Sequence, residues 1–447
     1  MWPEMANLNI VHGHGPGGQR SNRVAPCLLA PPVVEPAPDE EVEAIGRLGV
    51  ALLDAGYAVT DVTRVARAVA RSNAADFTVG ALPTGVFVDD GDRTRVLVSS
   101  GTSFTFEQVG LVGKLAAEAE RGIPWTNLQA GLDGLHAMRP RYPLWLSLLG
   151  SGLISGGIAV VLGNTWWAVG LDAVLGVLVG GILTFAGTRA RIAAVLPFFL
   201  ALVVALLVGL TATLFGISAV PFFAISAPLV MLIPGAAVTN ALIEVSAGDV
   251  VSGGGRLVAG LTVWAMLAAG TVAGVGILGG RLDATLISIG AGSGTAAAAV
   301  DPVLAWPAVA LLAIGVGLFL SATIPVTLVI TAVLLLAYAG SVLLSPILGP
   351  GVAVGLTAAV LLAGLRIVER LWPSLPSIVT FRPVFWLLVP GSLGLIAVSS
   401  LATHSSGSED LIATTASTVL GLVIGVQVGA VVSEAFRSGP GRSAKSG

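Results

Sequence analysis

The sequence predicts an all-α polytopic membrane protein with ten transmembrane helices in two inverted five-helix repeats, preceded by a small α+β cytoplasmic domain. The 447-residue chain is 55% hydrophobic and 11% charged, with a mean hydropathy of +0.93, well beyond a soluble domain. Its charges are unevenly divided: residues 1–141 hold 12 of the 22 Lys and Arg and 16 of the 25 Asp and Glu. A soluble region therefore precedes a membrane region. A proline ladder also occurs twice, as Pro221, Pro228, Pro234-Gly235 and as Pro376, Pro383, Pro390-Gly391. The copies close in similar text, Leu232-Ile233-Pro234-Gly235-Ala236 and Leu388-Val389-Pro390-Gly391-Ser392, so they read as diverged copies of one element.

Residues 1–38 carry Gly-rich and Pro-rich stretches with little apolar surface to offset the entropy of ordering, and are expected to form a flexible tail. No apolar run long enough for a signal peptide is found in them, so the N-terminus is expected in the cytoplasm. His12 and His14 are too few for a metal site, and Cys27, the single cysteine, cannot form a disulfide within the chain. Neither a metal nor a cofactor is expected. The net charge of −3 argues against a nucleic-acid partner.

Residues 39–141 read as an α+β domain. Val42, Ile45, Gly49 and Leu52-Leu53 share one helical face, and Val59, Val62, Val65, Ala66 and Val69 share another. Three short strands follow, Phe77-Thr78-Val79, Val86-Phe87-Val88 and Arg95 to Val98, with Asp89-Asp90-Gly91-Asp92 as a solvated hairpin tip lacking the EF-hand spacing. Helices near 106–121 and 125–137 complete it. Between Cys27 and His136 there is no histidine or cysteine, and Ser99-Ser100-Gly101-Thr102-Ser103 lacks the P-loop lysine. An enzyme is therefore not expected.

Ten apolar runs follow, at about 144–162, 166–187, 192–214, 217–241, 256–279, 303–320, 323–345, 350–367, 383–403 and 411–436, each near the roughly 20 residues a bilayer core requires. With the N-terminus inside, Arg139, Arg141, Arg189, Arg191, Arg256, Arg366, Arg370, Arg382, Arg437, Arg442 and Lys445 fall on the cytoplasmic side and Arg281 alone outside. Both termini are thus expected inside. Five spans per half force the second half to insert upside down, giving modules 142–280 and 303–436, an external connecting loop 281–302 and a cytoplasmic tail 437–447.

The ladder lies on the fourth span of each half. Pro234-Gly235 and Pro390-Gly391 should interrupt those helices and free backbone groups, which must then face protein or a polar cavity. Matching Pro/Gly-broken helices in two halves point to a transport site. Few ionisable groups accompany them. Asp172 lies within the second span; Asn240, Glu244 and Asp249 follow the first ladder, ahead of Arg256; His404, Glu409 and Asp410 follow the second. The inversion sets the first acidic cluster at the cytoplasmic mouth and the second at the external mouth. Glu244, Glu409 and Asp410 also read as solvated loop charges, Asp249 as an ion-pair partner of Arg256, and His404 as a loop histidine.

Residues 232–240, Leu-Ile-Pro-Gly-Ala-Ala-Val-Thr-Asn, continuing through Ser246-Ala247-Gly248-Asp249-Val250-Val251-Ser252-Gly253, resemble the signature of the bacterial threonine/serine exporter family. Leu53-Asp54-Ala55-Gly56-Tyr57-Ala58-Val59 resembles the start of that family's cytoplasmic domain, and Leu388 to Ser392 its second membrane module, so the resemblance spans about 40–436. It implies a ten-span inner-membrane exporter of threonine and serine driven by the proton gradient. Pro234, Gly235, Ser226, Thr239, Asn240, Pro390, Gly391 and Ser392 are then the candidate substrate-binding residues, and Asp172, Asp249, Glu244, Glu409 and Asp410 the candidate proton-coupling residues. The expected partners are a small amino acid, protons and the lipid bilayer. Oligomeric state stays open, as do a channel or exporter for other small solutes or short peptides and a membrane-anchored sensor or enzyme working through residues 39–141.

Overall fold

The computed structural model describes residues 38–73, 77–101, 103–186, 190–217, 220–221, 223–278, 287–288, 301–388 and 408–436. Its N-terminal part is an α/β layer. Helix α1 (Pro38–Asp54) buries Val42, Ile45, Leu48 and Leu52, and α2 (Val59–Ser72) buries Val59, Val62, Val65, Ala66 and Val69. The two apolar faces are those the helical spacing indicates. Between them the Gly56 N–H bonds to Leu53 O and the Tyr57 N–H to Leu52 O. This closure needs the left-handed backbone at Gly56, φ +89°, which glycine adopts without a Cβ penalty.

Strands β1 (Thr78–Leu82), β2 (Gly85–Asp89) and β3 (Thr94–Val98) form an antiparallel meander with Val79 opposite Val88 and Val86 opposite Leu97. The Asp90 carboxylate accepts the N–H groups of Asp92 and Arg93 at the hairpin tip. These bonds hold its pKa below the usual aspartate value. Helix α3 (Phe106–Ala119) opens on a capping box, the Thr105 N–H donating to Gln108 Oε1 and the Gln108 N–H to Thr105 Oγ1. Helix α4 (Trp125–Ala137) buries Leu128, Leu132 and Leu135.

The helical part begins with α5 (Leu144–Val161), α6 (Trp166–Ala186) and α7 (Ala190–Leu214). It continues through β4 (Val220–Pro221), α8 (Phe223–Ser226), a 3-10 turn over Ala227–Leu232, α9 (Gly235–Ser246) and α10 (Val250–Ile277). Then come β5 (Ile287–Ser288), paired parallel with β4, and α11 (Ala305–Phe319), α12 (Ile324–Leu348), α13 (Pro350–Leu371), α14 (Ser377–Leu388) and α15 (Ser408–Ala435). Among the described residues seven helices are long and apolar enough to cross a membrane, or eight if the bent pair around Pro234 is one span. Helices α11 and α14, with 15 and 12 residues, are shorter.

Small residues let the helices approach closely, as they do in bilayers. Gly150 of α5 meets Gly315 of α11, Gly270 and Gly274 of α10 meet Phe198 and Leu202 of α7, and Gly421 and Gly425 of α15 meet Gly351 and Gly355 of α13. Large side chains such as Phe185, Phe199, Leu336, Ile347 and Val360 face outward. An apolar surface of this kind needs lipid around it.

Three boundaries differ from the sequence reading. The fourth expected span is broken where Pro234-Gly235 was expected to interrupt it, α8 with its 3-10 turn being bent by 62° from α9, but α9 runs on to Ser246, past the expected end at about 241. Glu244, which falls beyond that expected end and also reads as a solvated loop charge, lies on α9 and is buried, as is Asn240. Helices α10 and α14 start six residues earlier than expected, at Val250 and Ser377, so Arg256 and Arg382 are helical.

Candidate functional site

The break at Pro234 is the centre of the candidate site. Pro234 lacks an N–H, and the chain turns there before Val238 N–H resumes the helical ladder to Pro234 O. The Ile233 carbonyl just before it accepts from Trp386 Nε1 of α14 at 3.4 Å. Gly235 packs on the ring of Phe385; a Cβ there would come 2.6 Å from Phe385 Cδ1. The first ladder's break thus touches the helix that carries Pro383 of the second ladder. Pro390, Gly391 and Ser392, the rest of that ladder's candidate residues, lie outside the described residues, as does His404. Ser226 is buried where α8 passes into its 3-10 turn, its hydroxyl donating to Phe223 O.

Beyond the break, α9 presents its polar residues to the turn between α1 and α2. Asn240 Nδ2 donates to Gly56 O at 2.6 Å. Glu244 Oε1 accepts the Val59 N–H at 2.8 Å and lies 3.1 Å from Arg256 Nε in an ion pair. Neither Glu244 Oε2 nor Thr239 Oγ1 has a hydrogen-bond partner among the described residues, although both are buried. Reading Glu244 as a solvated loop charge is therefore wrong: the α/β layer covers it. Asp249 does not pair with Arg256, which turns to Glu244; Asp249 Oδ1 instead accepts the Ser252 N–H and caps α10.

The same turn also reaches the second half. Arg366 of α13 donates to Asp61 Oδ2 at 2.8 Å, and the Tyr57 hydroxyl lies beside Glu369. Burial, reinforced by the Glu369 charge, pushes the Tyr57 pKa well above the usual tyrosine value. Tyr57, Asp61, Thr239, Asn240, Arg366 and Arg382 line one cavity of about 20 Å³. Sequence reasoning used Arg366 and Arg382 as topological markers and passed over Asp61, Glu369 and Trp386. The available signal was the charged group Arg366, Glu369, Arg370 at helical spacing inside an apolar run.

Asp172 stands apart. It is fully buried on α6 and accepts from Asn164 Nδ2 at 2.8 Å, leaving Asp172 Oδ1, Asn164 Oδ1 and Thr165 Oγ1 without described partners. Tyr142, just before α5, bonds to Ala322 O, and Phe106 N–H to Leu320 O, so α5 starts beside the α/β layer. Eighteen residues of α5 then carry the chain about 27 Å at 1.5 Å per residue before Asn164 is reached. Asp172 thus belongs to the opposite end of the helices from Glu244. Glu409 and Asp410 lie in the first turn of α15.

The two sequence segments that meet here, 53–59 and 232–253, lie within residues 43–278, which match the family model described as "Putative threonine/serine exporter". The chain belongs to that family. No curated protein and no solved structure matches it. Threonine/serine exporters are transporters and not enzymes, and with its apolar helices this exporter-family chain is a multi-pass membrane protein. The match ends at the close of α10, so the helices α11 to α15 lie outside the matched stretch.

Proposed function

We propose that this chain exports small amino acids of the threonine and serine class across the bacterial cytoplasmic membrane by proton-coupled antiport. The carrying observation is the 62° break at Pro234, packed through Trp386 and Phe385 against the helix of the second ladder. A zwitterion needs a positive pole for its carboxylate, and the N-terminus of α9 supplies one from its leading amides and dipole. Ser226, Thr239 and Asn240 are the hydroxyl and amide partners for a substrate side chain, and on the second half Pro390, Gly391 and Ser392 are the counterparts of Pro234, Gly235 and Ala236 at the break. The cavity beside Thr239 and Asn240, about 20 Å³, holds roughly one water, so export requires this junction to open.

Ten spans in two inverted repeats are supported by the pairing of helices. Within each half the first helix packs on the second (α5 on α6, α11 on α12) and the third on the fifth (α7 on α10, α13 on α15), while α5 packs on α11 and α9 on α14 across the halves. That is the pattern a pseudo-twofold axis produces. Cytoplasmic termini are supported by the contacts of the α/β layer, which touches Leu320, Glu244 and Arg366, all at helix ends that the expected order of spans sets inside.

Asp172 and Glu244 then stand at opposite ends of the pathway, with Asp249, Glu409 and Asp410 as the flanking carboxylates. Protonation from outside releases the substrate ammonium, and deprotonation inside restores its contact. Moving one charge through 100 mV is worth about 2.3 kcal/mol, enough for a modest outward gradient. Proteoliposomes loaded with labelled threonine should show efflux that an imposed pH gradient accelerates and that Asp172→Asn uncouples. Threonine flux indifferent to both pH gradient and membrane potential would overturn the coupling.

A further inference from the structure

A second cavity, of about 290 Å³, opens between the end of α1, the segment after β3 and the start of α14. Its lining includes Asp54, Ser99, Ser103, Ala236 and Arg382. This volume lies near the lower end of the roughly 300–1,000 Å³ typical of small-molecule pockets, a size suited to a free amino acid.

The charges in it match the two poles of a zwitterion. Asp54 is held in place by two hydroxyls, Ser99 Oγ donating to Oδ1 and Ser100 Oγ to Oδ2. Arg382 has no ion pair among the described residues; its guanidinium instead lies 5.9 Å from the centroid of the Trp386 ring. A guanidinium seated on an aromatic face keeps its N–H edges for a planar acceptor, and a carboxylate is the acceptor that fits them two at a time. Ala236, in the first turn of α9, lines both this cavity and the smaller one beside Thr239 and Asn240, and Arg382 does so too.

We infer that this cavity is the cytoplasmic loading site, where Arg382 receives the carboxylate of a free α-amino acid and Asp54 its ammonium group. The inference rests on the export function proposed above. Ser103, exposed at the rim, is placed to meet a hydroxyl side chain. The Trp386 indole that carries Arg382 also donates to Ile233 O at the break. A carboxylate gripped by the guanidinium on that ring therefore bears on the group that holds the break, which couples loading to opening.

The test is binding of labelled threonine to the purified full chain in nanodiscs, with threonine methyl ester and N-acetylthreonine as competitors lacking one charge each. Wild type should reject both competitors. Arg382→Gln should bind threonine about tenfold or more weakly, as loss of a charge-assisted contact implies, and should no longer reject the ester; Arg382→Lys should recover part of both. Asp54→Asn should cease to reject N-acetylthreonine, an arm that does not depend on the folding of the arginine variant. Wild-type threonine efflux with unchanged affinity and unchanged ester rejection in Arg382→Gln overturns the loading site and leaves export standing. Absence of threonine efflux from wild type overturns export, and the site with it.

Discussion

The carboxylate of Glu244 accepts the backbone N–H of Val59, 185 residues earlier in the chain. Val59 opens α2, whose N-cap, Ala58, has no side-chain oxygen to offer. A buried acid of the helical region thus performs the capping that the local sequence does not, and Arg256 neutralises it.

Removing Glu244 should therefore damage the junction from both sides. Glu244→Ala leaves a buried amide and a guanidinium unpartnered, and breaking such a pair costs about 3–5 kcal/mol. Thermal unfolding in detergent should show a large loss for Glu244→Ala and a smaller one for the double change Glu244→Ala with Arg256→Met, because the second substitution removes the orphaned charge. Equal losses in single and double variants would count against the pair.

The contact between Asp61 and Arg366 should behave as a coupled pair. Each single charge removal is expected to lower stability, and a double-mutant cycle should return a coupling energy of about 1–3 kcal/mol. The exchanged pair, Asp61→Arg with Arg366→Asp, should recover export that the single reversals lose, as read by threonine efflux at equal membrane abundance.

Gly235 should tolerate no side chain while Phe385 is present. Gly235→Ala places a methyl group against the ring, and overpacking of this kind costs about 1–3 kcal/mol. Efflux should fall in the single variant and return when Phe385→Leu is added; an unaffected Gly235→Ala protein would show that the break is not tightly seated on α14.

Tyr57 sets an alkaline limit. Because its folded pKa is raised by burial and by Glu369, the folded protein holds that proton more firmly than the unfolded chain does. The stability this contributes is complete below the ordinary tyrosine value of 10.0 and is lost as pH rises beyond it. Tyr57→Phe should flatten the decline in melting temperature above that pH and leave the neutral range with at most the loss of one hydroxyl contact.

Much of the fold was legible because it is written in local periodicity. The faces of α1 and α2, the three strands and the run of apolar helices are all short-range patterns, and the break at Pro234 follows from the chemistry of proline. Glu244 was misplaced for the complementary reason. In a stretch of otherwise helix-forming residues, a charged side chain reads as lying past the end of a span; what buries it is a turn nearly two hundred positions away. Arg382 was assigned to a loop since the span was begun at Pro383, yet α14 runs through that proline. Partners such as Asp61 and Arg366, 305 residues apart, leave no trace in any window of sequence.

That separation has a consequence for how the protein is made. At ribosomal speeds of about 5–20 residues per second, Asp61 emerges about 15–60 s before Arg366 exists. During this interval the turn at 56–61 has water first in place of both α9 and α13, and then in place of α13 alone. The α/β layer must stay folded on its own capping box and meander until the last helices are inserted, so that biogenesis ends with the earliest-made segment closing over the latest.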